Sequence, residues 1–431
     1  MDDQIVDRSR RIRTTRLRVT APGIFVLILI PIMLAGACRG GADAELTTPE
    51  PSAVTLGVPA PAVSGEPRAF AMGFLAVPAA LTEAAYIDVF DAAADHGDVL
   101  MIQRHVPWGE VASDAVLSAE TEATIARETA LLAERDLDLL FAIDLWDAAD
   151  RGRLAGDAPG LGFGDPAVVE AYLAYVELIV ERYAPRWIAL AIDVDQFAAA
   201  RPAELGAFQA AYIAAYRLVK DRAPETLAFV TFQFEDLQGL VPWGTTHDPQ
   251  WALLLRFSAF LDLLAVSSFP SFIFPFQADI PGEYFSRIEA FNKPIALVPT
   301  GYASEPGRGG VTFGTASGQR GFVERVLREA DHAEWELVIW LAPQDPAFAS
   351  AAPYDLINRM GLRDAGGAEK AAWAIWSAEA SRPWTPITRL NGDATGARPL
   401  GIPEGGVPET TVPTPDDEVS DEEIEDDGET S

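Results

Sequence analysis

Cysteine occurs once, at Cys38, so no disulfide can form within the 431-residue chain. Histidine occurs four times, at positions 96, 105, 247 and 332, and without a Cys/His cluster or His-x-x-x-His spacing there is no zinc ligand set to assign. Lysine is confined to Lys220, Lys293 and Lys370. Positive charge as a whole is short, with 32 Lys and Arg against 64 Asp and Glu for a net charge of −32. Outside the N-terminus the clustered cations that phosphate binding needs are missing, which excludes nucleic acid as a partner. The sequence also lacks a Gly-x-Ser-x-Gly elbow, a phosphate-binding loop and a Gly-rich fingerprint after the first strand, so no cofactor is implied.

What is present begins with 49% apolar residues, enough to bury a large core. Six arginines, Arg8, Arg10, Arg11, Arg13, Arg16 and Arg18, precede the apolar run Ile24–Ala37, which is short for a membrane span and suited to a secretory signal. Leu34-Ala35-Gly36-Ala37-Cys38 then resembles a bacterial lipoprotein box with its Leu displaced by one place. Residues 1–38 are therefore expected to be a lipoprotein-type signal with Cys38 lipidated, an uncleaved signal anchor being the alternative. Either reading exports the rest and holds it at the membrane. Residues 39–67 are small, Pro-rich and non-periodic, as in a flexible tether. At the other end, residues 391–431 carry thirteen acids against Arg398, and the run Asp416–Asp427 cannot bury enough surface to offset its chain entropy. Residues 386–431 are expected to be a disordered acidic tail.

Between these, residues 68–385 alternate short runs of Val, Ile, Leu and Phe with longer amphipathic segments, the pattern of βαβ units. Eight strands are expected at 69–77, 99–105, 138–145, 187–194, 227–234, 261–267, 294–298 and 336–341. Helical segments fall between them, including 82–94, 115–134, 166–183, 203–222 and 317–331. Eight alternations of this length predict an α/β fold with a single (β/α)8 TIM barrel.

In such a barrel the chemistry sits past the carboxyl ends of the strands. Polar and aromatic residues recur there: His105 and Trp108 after strand two, Asp144 and Trp146 after strand three, Asp193 and Asp195 after strand four. Gln233 and Glu235 follow strand five, Tyr302 strand seven and Trp340 strand eight. Aromatic faces that stack on sugar rings, with amides and carboxylates for hydroxyls, are the ingredients of a carbohydrate cleft. Each is also compatible with a structural role, since Asp caps helices and Trp fills cores. The expectation is that Asp193, Asp195, Glu235, Trp146, Tyr302 and Trp340 converge on one groove at the barrel mouth.

From Ala71 to Trp376 the chain resembles the clan of retaining (β/α)8 glycoside hydrolases, most nearly the arabinogalactan endo-β-1,4-galactanases and their bacterial relatives. The resemblance runs through Met72-Gly73-Phe74, Val106-Pro107-Trp108, Ala171-Tyr172-Leu173-Ala174-Tyr175, the strand opening at Arg186-Trp187, and Lys293-Pro294-Ile295. It implies a general acid/base at the end of strand four and a nucleophilic Glu at the end of strand seven. Asp193 stands at the first place, one methylene shorter than Glu, and Pro299 at the second. Proline cannot attack, so the pair that retaining hydrolysis needs is broken. The expected function is a cell-surface barrel that binds polysaccharide or glycan with lost or weak hydrolysis. The alternatives are an active glycosidase with Asp193 as acid and Glu235 as base, and a non-catalytic scaffold for a protein partner.

Overall fold

The structure, a computed structural model, describes residues 65–386 apart from 113–115, 148–149, 241–246, 292, 308–311 and 351–353. The signal segment with Cys38, the tether up to residue 64 and the acidic tail past residue 386 lie outside the described residues. No described helix is long and apolar enough to cross a membrane.

Nine parallel strands make one sheet: β1 (Ala71–Leu75), β2 (Val99–His105), β3 (Asp138–Asp144), β4 (Trp187–Ala189), β5 (Leu227–Phe229), β6 (Thr231–Gln233), β7 (Leu264–Ser268), β8 (Ile295–Thr300) and β9 (Leu337–Trp340). Their order is β5-β4-β3-β2-β1-β9-β8-β7-β6. The two ends of that order are consecutive in the chain. β5 and β6 are halves of one strand interrupted at Val230, the first half paired with β4 and the second with β7. Eight barrel strands therefore close on themselves with helices outside, and β7, β8 and β9 are the sixth, seventh and eighth. Both faces of each strand are covered, so strands such as β1 are buried at every position instead of alternating.

Local chemistry sets the helices that flank the site. Helix Pro166–Tyr183 begins with the Asp165 side chain accepting from the Ala167 amide and proline in the first turn, and buries Val168, Tyr172, Tyr175, Val176 and Ile179 on one face. Helix Ala119–Glu134 is capped by Ser118, whose hydroxyl accepts from the Thr121 amide. Where β1 passes β2, a Cβ at Gly73 would lie 1.8 Å from the Val99 carbonyl oxygen, so only glycine fits. Arg68 pairs with Trp384 at the amino end of the barrel, opposite the mouth.

Barrel strand four is shorter than expected. It stops at Ala189, and the chain turns through Asp193 in the left-handed region (φ 47°, ψ 50°) into helix Val194–Ala200. Asp tolerates that conformation better than most residues. The consequence is that Asp193 caps a turn and Asp195 lies on a helix, not in an open loop.

Candidate functional site

Five polar residues at the carboxyl ends of the strands form one chain across the barrel mouth. Gln103, near the end of β2, donates through Nε2 to Asp144 Oδ2 at 3.2 Å. Asp144 Oδ1 accepts from Arg151 Nη1 at 3.1 Å, and Arg151 Nη2 donates to Asp193 Oδ2 at 3.0 Å. Ser267, on the sixth barrel strand, donates to the other oxygen of Asp193 at 2.9 Å. Arg151 reaches inward from the loop after β3 and is 1% exposed, with Asp144 1% and Asp193 6%. The residue expected to act as an acid is thus held by a guanidinium and a hydroxyl, while its own amide donates to Thr231 Oγ1 at 3.0 Å. Burial raises the Asp193 carboxyl above its ordinary range, with Arg151 and Ser267 opposing that rise.

Glu235 has different neighbours. Its Oε1 accepts from Ser268 Oγ at 2.7 Å, the Phe269 amide at 2.9 Å and Tyr284 Oη at 2.6 Å, and Oε2 accepts from Gln233 Nε2. Ser267 and Ser268 are consecutive on β7, and consecutive strand residues point to opposite faces. Asp193 is bonded to the first and Glu235 to the second, so the two carboxylates sit on opposite sides of that strand. No cation pairs with Glu235 among its hydrogen bonds, and burial raises its carboxyl above the usual range.

Gln233, which holds Glu235, also donates its backbone N–H to Asp195 Oδ1 at 2.9 Å, and its side-chain oxygen accepts from the Asp236 backbone N–H at 2.6 Å. Asp195 is fully buried and its Oδ2 has no partner among the described residues. Burial first, then the nearby charges of Asp236 and Asp193, raise it well above the usual carboxylate range, which favours the neutral acid. His247 Nε2 donates to Asp236 Oδ1 at 3.0 Å, and that contact raises the imidazole.

The aromatic residues expected to offer open faces are enclosed. Trp146 is fully buried, its ring stacked 4.2 Å from Phe197 and its Nε1 donating to the Ile192 carbonyl at 2.8 Å. Trp340, equally buried, donates to the Met360 carbonyl at 2.7 Å. Tyr302 packs near Phe322 with no partner for its hydroxyl among the described residues, its phenol pushed up to about 12 by burial. Trp108 is 2% exposed and donates to the Ala155 carbonyl at 2.7 Å. The structure thus joins Gln103, Asp144 and Asp193 through Arg151, sets Glu235 on the other side of β7, and gives these rings to packing, where each indole NH finds a carbonyl. His105 is partly open, with Nδ1 on the Asp144 carbonyl at 2.9 Å.

Ser267 and Ser268, polar residues that end strand six in the sequence, complete the site with Arg151 and Tyr284, which were not singled out from sequence. The signal for Arg151 is weak: an arginine directly after Asp147 and Asp150. Among the described residues no group of three His, Cys, Asp or Glu could hold a metal ion.

No family model matches the chain, and no curated protein matches it. Solved structures do. A GH5_18 protein from Bifidobacterium longum subsp. longum, in complex with Manβ1-4GlcNAc, superposes with a TM-score of 0.52 at 15% identity, over 74% of this chain and 80% of its own. An exo-β-1,4-mannosidase from Opitutaceae bacterium strain TAV5 gives 0.53 at 17% identity, over 73% of this chain and 60% of its own. A GH5_18 protein from Streptomyces cattleya, in complex with GlcNAc, gives 0.50 at 17% identity, over 74% and 80%. At these identities the likeness establishes the fold, the (β/α)8 barrel found in glycoside hydrolases.

Proposed function

We propose that the chain is a glycoside-hydrolase-like barrel that binds a polysaccharide or glycan and does not hydrolyse it efficiently. The observation that carries this reading is the locked Asp193. Retaining hydrolysis needs two carboxyls about 5–5.5 Å apart across one bond, and inversion needs about 6.5–9.5 Å with a water between them. Asp193 is instead clamped between Arg151 and Ser267, Glu235 lies across β7, and the seventh strand ends Val298-Pro299-Thr300 without an acid. The polar groups that would contact hydroxyls outlast the loss of a nucleophile.

One observation favours an active enzyme as the second reading. Burial raises both Asp193 and Glu235, and a general acid must hold its proton near the working pH. The resemblance to galactanases and the mannose-containing ligand of the Bifidobacterium structure select the polymers to try first. A panel of β-1,4-galactan, β-mannan and unrelated glucans should show saturable binding to at least one, measured by affinity electrophoresis, and Asp193→Ala should alter it. Binding to none would shift weight to a scaffold for a protein partner.

Export and attachment through the N-terminus belong to the same proposal. Their support is the arginine-rich start, the short apolar run and Cys38. Cys38→Ser is expected to abolish incorporation of labelled lipid and leave an unprocessed precursor. Unchanged processing would favour a different cleavage site or an uncleaved anchor.

A further inference from the structure

A cavity lies off the barrel axis. It occupies about 350 Å³ between the outer side of β2 and helices Ala119–Glu134 and Pro166–Tyr183, bounded also by Pro107, Glu110 and Ser118. Its floor is polar and closed: Glu128, fully buried, accepts from Tyr86 Oη and Tyr183 Oη at 2.6 Å each and from Arg104. Its walls carry phenol rings, including Tyr175 and Tyr183, and the Thr124 side chain.

Two features say what would fit. Arg127 lines the cavity with its guanidinium over the Tyr86 ring at 5.4 Å, and its buried Nε has no acceptor among the described residues. Among the described residues its ion pair is a long 3.8 Å contact of Nη1 with the exposed Glu83, which leaves the outer guanidinium nitrogens as donors for a ligand oxygen. The second feature is charge. Arg104 is already neutralised by Glu128, and Glu110 stands at the rim with its carboxylate held by the Ser118 amide and hydroxyl. An added anion would face both acids. A neutral ring with hydroxyl donors and acceptors meets Arg127 as donor, Glu110 as acceptor and tyrosine faces for its C–H surface. The volume lies at the lower end of the range for small-ligand sites, enough for one or two sugar rings.

We propose that this side pocket binds a single neutral sugar ring, separate from the barrel mouth, as an accessory grip on a glycan. This rests on the glycan reading above but places contacts on residues that the mouth does not use. The test uses the full chain with methyl glycosides of mannose, galactose and glucose, and the methyl glycoside of glucuronate, with its carboxylate free, as the charged comparator. Saturation-transfer NMR should show a neutral glycoside binding with a millimolar-order Kd, and the glucuronate much more weakly. Thr124→Trp, which fills the cavity from a half-buried helix position, should weaken that binding by about tenfold or more. Arg127→Met, which keeps the stem and removes the donors, should weaken it several-fold and covers the case in which the Trp variant fails to fold. Unchanged affinity in a folded variant, or preference for the glucuronate, overturns the proposal. Polysaccharide binding by the wild type without monosaccharide binding also overturns it, and leaves the proposed function standing. Absence of both removes the two together.

Discussion

Arg151→Met is expected to lower unfolding stability by about 3–5 kcal/mol at pH 7, the cost of leaving buried charges unpaired. Arg151 bridges Asp144 and Asp193, and all three are nearly inaccessible to water. Methionine replaces much of the stem, so lost packing is a minor part of the effect. The pH dependence distinguishes this mechanism from simple disruption. Asp193 is already raised above its unfolded value by burial, and losing Arg151 raises it further. A carboxyl raised by folding contributes stability that is present below its unfolded pKa and is lost as pH rises through the folded one. The defect should therefore shrink as pH falls from 7 towards 5, and Asp193→Asn in the Arg151→Met background should restore part of the loss at pH 7. Urea unfolding at the two pH values measures both. A defect below 1 kcal/mol, or one independent of pH, would contradict the assignment of Arg151 as the clamp.

Glu128→Ala is expected to cost a comparable 3–5 kcal/mol for a different reason. Alanine is the better helix former at this position within helix Ala119–Glu134, so propensity works against the loss. What disappears is the acceptor for Tyr86, Tyr183 and Arg104, which pins three elements to one buried carboxylate. The guanidinium is then left without its counter-charge. Glu128→Gln, whose carbonyl oxygen still accepts from one phenol while its NH2 donates to the oxygen of the other, should lose less. Equilibrium unfolding of the two variants checks the order, and equal losses would mean that the charge, which both variants remove, carries the whole effect and the hydrogen bonds that Gln keeps add nothing.

The barrel was legible because its determinants are local. Helix Pro166–Tyr183 announces itself by Asp165, an early proline and apolar residues at helical spacing, and β2 by an unbroken apolar run that ends in Gln103, Arg104 and His105. Strand four misled for an equally local reason. Leu190, Ala191 and Ile192 continue the apolar run, and only the left-handed turn at Asp193 ends it. Side-chain direction was the part that sequence could not supply. Trp146 and Trp340 have the composition of either a sugar platform or a core, and the carbonyls that accept from them lie 46 and 20 residues away. Glu235 follows strand five as expected, yet whether it meets Asp193 depends on the face of β7 that it contacts. That Ser267, 74 residues from Asp193, is its partner leaves no mark in the local pattern.

The central claim is that the mouth holds a glycan without cleaving it. It is tested most directly by incubating the protein at stoichiometric concentration with the polysaccharide it binds most tightly and counting reducing ends over time. The account predicts release no greater than that of the Asp193→Ala variant, while the polymer remains bound. Release by the wild type that Asp193→Ala abolishes would contradict it and make Asp193 a working acid despite Arg151.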